Sequence, residues 1–311
     1  MNFSMTSRTK TGIMLALVTA LISGFANFLS KVSVSVMKDA VLFTTLKNSI
    51  VAMALLGIVL IAPFLRKRIR LLTRSEWIKL IAIGAIGGSL PFALFFTGLQ
   101  QTSALNASFI HKTLFLWVAA LAIPFLRERI GILQGTALAL FAVGNLLVGG
   151  FQGFQYNAAE AMILGATLLW AIEQIIAKKA LVTIPPTLVA GARMLFGSLI
   201  LAAFILMRGG GSATLSLTSV QWLWTLIPSV LLLGYVFTWY AALSRLPAMA
   251  TASLLVPASL VTNALSAAFV TRTPPSYAAY VAASYLLAIT ATIFALRKTA
   301  MPVPQTTAAS T

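Results

Sequence analysis

Cysteine is absent from this chain, histidine occurs once, as His111, and the acids number five: Asp39, Glu76, Glu128, Glu160 and Glu173. Each scarcity excludes a chemistry. Without cysteine there are no disulfides and no thiolate metal sites. One histidine cannot build a two-histidine zinc centre, and one aspartate cannot build an aspartate-rich diphosphate site. No G-x-S-x-G elbow and no Walker motif is present. The Gly209-Gly210-Gly211-Ser212 run lacks the lysine of a phosphate loop and reads as a flexible link. No enzyme and no cofactor is expected. Charged residues make up only 9% of the 311 residues, against roughly 25% in a soluble domain.

What fills the chain is apolar, 59% of its residues. The apolar residues form runs long enough to cross a hydrocarbon layer about 30 Å thick. Ten are read, at 11–30, 41–65, 75–99, 103–126, 130–150, 158–180, 186–207, 219–243, 248–270 and 276–296. They are solidly apolar rather than alternating, and open sheet edges cannot sit in lipid, so strands are excluded. The expected fold class is an all-α membrane protein with ten transmembrane helices. A cytoplasmic N-terminal segment (1–10) precedes two five-helix units (11–150 and 158–296), and a disordered cytoplasmic tail (297–311) follows.

The net charge of +17 suggests nucleic acid until the cations are placed. Fifteen of the 22 Lys and Arg fall in the termini and the even-numbered loops, and four, Lys31, Lys38, Arg208 and Arg272, in the odd-numbered ones. That asymmetry predicts a multi-pass protein of the inner (plasma) membrane with both termini cytoplasmic. The lipid bilayer is then the macromolecular partner. No aromatic and basic stacking surface stands outside the spans, so nucleic acid is not expected.

The chain also reads as one unit written twice. Lys31 in the first apolar run and Lys178 in the sixth occupy like places, as do Lys47 and Arg193 early in the second and seventh. All are separated by about 146 residues. The segment 97–110 echoes 241–255 at a similar spacing. Five spans per unit is odd, so the second unit enters the membrane the other way up. Inverted repeats of this kind place a solute site near the midplane between the halves.

Three stretches carry a family resemblance. ASFIHKTLFLWVAALAIPFLRERIG (107–131) ends near a G-E-R-L-type signature, with Glu128 and Arg129 matching and Leu126-Arg127 departing from Leu-Gly. ASLLVPASLVTNALSAAFVTRTPPS (252–276) keeps Pro257 but has Thr273 in place of the glutamate. Lys47 and Arg193 stand where an arginine is frequent. Over roughly residues 12–297 the chain resembles the EamA-type ten-helix members of the drug/metabolite transporter superfamily. The resemblance implies alternating-access secondary transport of a small-molecule substrate, in most cases export of amino acids or related metabolites. Two alternatives stand beside it: an anion exchanger for phosphorylated sugars or sugar acids, and a non-transporting membrane scaffold.

Charges inside the spans are the site candidates, because each costs about 2.5–3.5 kcal/mol at a helix centre. Lys47 and Arg193 lie about 9–10 Å from opposite faces, and Lys112, with His111 beside it, about 13 Å deep. Glu173 matches Arg193 in depth and is its expected partner. Lys47 and Lys112 are left without an acid. Lys112 is the candidate for binding a substrate anion, with Phe115 as neighbour, and His111 is the candidate for proton coupling. Trp170 shares a helix face with Glu173. Phe92, Phe95 and Phe96 mirror Tyr235, Trp239 and Tyr240 in the second unit, and Tyr235 and Trp239 read either as packing or as cavity wall. Pro91, Pro228 and Pro257 are candidate kinks, and such interruptions are too few to claim a broken helix.

Overall fold

The computed structural model describes residues 7–128, 155–209 and 216–272, with scattered positions within 132–143 and Leu286. All described elements are helical. Eight are long and apolar enough to cross a membrane: Ser7–Met37, Ala40–Ile61, Arg74–Gln101, Ala104–Leu126, Ala158–Ala180, Pro186–Met207, Ser219–Leu243 and Ala248–Val270. These are the expected spans one to four and six to nine. The fifth (130–150), the tenth (276–296) and the tail 297–311 lie almost wholly outside the described residues.

Local chemistry sets the ends. The sixth span starts where the Asn157 side chain accepts from the Glu160 N–H, the seventh with Pro186 in its first turn, and the eighth with a Thr218–Gln221 capping box. Two expected boundaries shift. The first helix runs on past residue 30 to Met37, because Lys31 does not leave the membrane-facing bundle. Its Nζ donates to the carbonyls of Leu99 (2.7 Å), Gln100 (3.0 Å) and Thr102 (2.7 Å) at the end of the third span. The second helix stops at Ile61, since Ala62 before Pro63 is extended (φ −86°, ψ 106°) and Pro63–Arg70 forms a separate short helix.

Two spans are broken, one of them at the candidate kink Pro257. The fourth is interrupted at Thr113, between Ala104–Lys112 and Leu114–Leu126, and the ninth by the turn from Leu254 to Pro257. The two breaks occupy mirrored places, one at a proline and one without. The third span widens into a π-helical stretch, Gly84–Ser89, just before Pro91, whereas the eighth continues straight through Pro228.

Contacts between helix ends give the orientation of the two units. Lys31 ties the end of the first span to the end of the third, so these run parallel. Lys178 does the same in the second unit, donating to Leu243 (2.7 Å) and Leu246 (2.5 Å) at the end of the eighth span. Arg8, at the start of the first span, donates to the Ser244 carbonyl past the end of the eighth (3.0 Å), while Thr225 near the start of the eighth meets Met37 at the end of the first. The eighth span therefore runs against the first and against its own counterpart, the third. The main packing pairs, first with eighth, second with seventh and third with sixth, all cross between units.

Candidate functional site

A cavity opens between the units, with about 690 Å³ of space between its side chains, some continuous with the outside. The first span contributes Ser23, Asn27 and Ser30, at a spacing that puts them on one helical face. The third contributes Phe92, Phe95 and Phe96, and the sixth Trp170, Glu173 and Gln174. Lys47, His111, Arg193, Tyr235 and Trp239 complete the working wall.

One backbone carbonyl organises the centre. Pro91 has no N–H to return to the Gly87 carbonyl four residues earlier. That oxygen instead accepts from Arg193 Nε (3.1 Å) and Trp170 Nε1 (3.0 Å). The next carbonyl, Gly88, accepts from Asn48 Nδ2 at 3.1 Å. The approach requires glycine: a Cβ on Gly88 would lie 2.1 Å from the Arg193 carbonyl, and one on Gly197 2.3 Å from the Gly88 carbonyl. The third and seventh helices thus meet backbone to backbone, and Arg193 is aimed into the cavity.

Arg193 is satisfied there. Its Nη1 donates to Tyr240 Oη (3.3 Å), Tyr240 donates to Glu173 Oε1 (2.6 Å), and the guanidinium lies 4.0 Å from Glu173 Oε2. Lys47 is not. It is 3% exposed, and its Nζ sits 3.7 Å above the Phe96 ring, with Phe92 at 5.1 Å and Phe43 at 5.2 Å. Among the described residues it has no hydrogen bond and no carboxylate partner. The Phe92 ring also faces Arg193 (5.4 Å), so both cations border one aromatic wall. His111 lies between Phe95 and Trp170, at ring separations of 5.3 and 4.9 Å, with its buried Nδ1 unpartnered. Gln174 donates to the Ala248 carbonyl (2.7 Å) and keeps a buried Oε1 unpartnered. Tyr235 stacks on Trp239 (5.9 Å, 16°).

Seven of the nine candidate residues therefore share one cavity wall. The other two lie behind it. Lys112 is 1% exposed, with its Nζ donating to Ser23 Oγ (2.9 Å), and reaches the cavity only through that hydroxyl. Phe115 is packed in the core beside it. Lys47 and Arg193, expected at different depths along their helices, both reach this cavity with their side chains. Sequence reasoning did not single out Gln174 or the Ser23–Asn27–Ser30 stripe, although the stripe's helical period is readable. Tyr240, one of the mirrored aromatics, is the bridge between Arg193 and Glu173.

Glu128, in the signature after the fourth span, accepts from the N–H groups of Ala248 (2.7 Å) and Met249 (3.2 Å). It caps the first half of the broken ninth span, in the other unit, where a carboxylate suits the helix N-terminus.

Comparison with known proteins supports the fold. A crystal structure described only as that of a protein superposes with a TM-score of 0.66, covering 93% of this chain and 96% of its own at 15% identity, a likeness of fold. It is one of 28 solved chains that match. No curated protein matches by sequence. The model of the EamA-like transporter family matches twice, over residues 10–150 and 157–297, and the chain belongs to that family of duplicated membrane transporters.

Proposed function

We propose that the chain is a secondary active transporter that exports amino acids or related small metabolites by alternating access across the inner membrane, with both termini cytoplasmic. The observation that carries this reading is the unpaired Lys47 ammonium in the inter-unit cavity. Aromatic faces hold a cation without replacing an anion, and in a low-dielectric site the ammonium favours a carboxylate. Lys47 takes the substrate carboxylate. Glu173 Oε2 and Gln174 Oε1 accept from the amino group, and Tyr235 and Trp239 contact the side chain. Lys112 supports the wall by holding Ser23. His111, with its unpartnered Nδ1, is the candidate proton carrier.

Counterflow of labelled amino acids into proteoliposomes tests this. Uptake of at least one carboxylate solute, lost in Lys47→Met and kept in Lys112→Met, is the expected result. Loss in Lys112→Met with normal flux in Lys47→Met would return the anion site to the fourth span. A second reading, exchange of phosphorylated sugars or sugar acids, is favoured by the convergence of Lys47 and Arg193 on one wall. Counterflow of sugar phosphates alone would select it, and no flux of any solute would select the scaffold.

A further inference from the structure

A second recess lies on the lipid-facing side of the bundle, at the end carrying the short helix Pro63–Arg70. It is an apolar groove with about 490 Å³ of space between its side chains. Leu56 and Val59 of the second span and Leu188 and Gly191 of the seventh form its length. Ile69 and Trp77 form the mouth. The groove is open along Gly191, where an added Cβ would find only Leu55 Cβ, at 3.9 Å.

Cations flank the lining residues Ile69, Leu72 and Trp77 in the sequence. Pro63–Arg70 turns Leu65 and Ile69 towards the bundle and leaves Arg66, Lys67 and Arg70 exposed, with Arg74 following at the start of the third span. Among the described residues Arg68 is engaged, donating to Glu76 and to the Thr183 carbonyl. Among the described residues Arg66, Lys67, Arg70 and Arg74 have no carboxylate partner. An apolar slot running into the hydrocarbon layer, with unpaired cations and an exposed tryptophan at its interfacial end, is complementary to one kind of molecule.

We propose that this groove is a binding site for an anionic phospholipid. One acyl chain lies between the second and seventh spans, and the phosphate sits on Arg66, Arg70 and Arg74. The seventh span turns Gly191 and Leu195 to this groove and Arg193 to the central cavity, so a chain lodged there braces the helix that carries the cavity arginine.

The test uses the purified full-length protein in detergent, with phosphatidylglycerol, phosphatidylcholine or glycerol 3-phosphate added. Phosphatidylglycerol should raise the melting temperature by about 3 °C or more over phosphatidylcholine, and native mass spectrometry should retain one such lipid. The triple substitution Arg66→Gln, Arg70→Gln, Arg74→Gln should abolish that preference. Gly191→Leu fills the slot and should lower lipid retention, whereas Gly57→Leu, where an added Cβ meets nothing within 4 Å, should not. Equal shifts from the two lipids would overturn the proposal. So would a shift from glycerol 3-phosphate alone, or undiminished retention by Gly191→Leu that still unfolds cooperatively.

Discussion

Lys47 and Arg193 occupy the same place in the two units, early in the second helix of each, and are treated in opposite ways. Arg193 is bound to the Gly87 carbonyl and, through Tyr240, to Glu173. Lys47 lies under three phenyl rings without an acid. Lys31 and Lys178, the other mirrored pair, do the same work as each other, closing the carbonyl end of the third helix of their own unit. A duplicated residue keeps its role where helix ends dictate it, because terminal carbonyls need donors in either orientation. Around the cavity no backbone requirement holds the two copies alike, and one cation has no carboxylate partner among the described residues.

The largest effect should come from breaking the satisfied side. Glu173→Ala leaves Arg193 buried without its carboxylate and should cost about 3–5 kcal/mol, read from thermal unfolding in detergent. Lys47→Met should be neutral or stabilising in the same measurement, yet reduce counterflow of carboxylate solutes by about 100-fold. Equal destabilisation by the two would remove the contrast between the units.

Glycine packing offers the next contrast. Gly88→Ala drives a Cβ to 2.1 Å from a backbone oxygen that cannot yield, for a loss of about 1–3 kcal/mol or more. Gly234, on the eighth span, meets only the end of Ile22 among the described residues, at 3.2 Å, so Gly234→Ala should lie within about 1 kcal/mol of wild type. Parallel unfolding curves check both.

The mirrored lysines should behave alike. Lys31→Met and Lys178→Met each strand helix-terminal carbonyls and should each cost about 1–3 kcal/mol. A difference well beyond about 0.5 kcal/mol would show that the two caps are not equivalent. The smallest effect belongs to the half-exposed Asp39–Arg208 pair at the opposite end of the bundle from Glu76. Asp39→Asn keeps a helix-capping oxygen and should cost under about 1 kcal/mol, less in high salt.

Much of the helical frame was legible. The sixth, seventh and eighth spans begin and end where their apolar runs and capping residues do. The pairing of Glu173 with Arg193 followed from depth, since rise per residue is constant. The site was legible only in part. Depth along a helix axis does not say which way a side chain points, and Lys112, the deepest cation, points to Ser23 behind the cavity wall. The break at Thr113 carries no proline to announce it; its mirrored partner before Pro257 does.

Composition and repeat spacing are enough to give the membrane class, the duplication and the inversion. Lipid admits only helices for spans such as these, and an odd number of expected spans per unit reverses the second copy, as the eighth span's run against the first shows. Which cation is satisfied, and which has no acid among the described residues, follows from the packing of the helices. That depends on the rotation of seven helices about a common cavity, and on a carbonyl freed by Pro91 meeting Arg193 across a contact between glycine backbones. Those are relations between distant segments, and no local pattern encodes them.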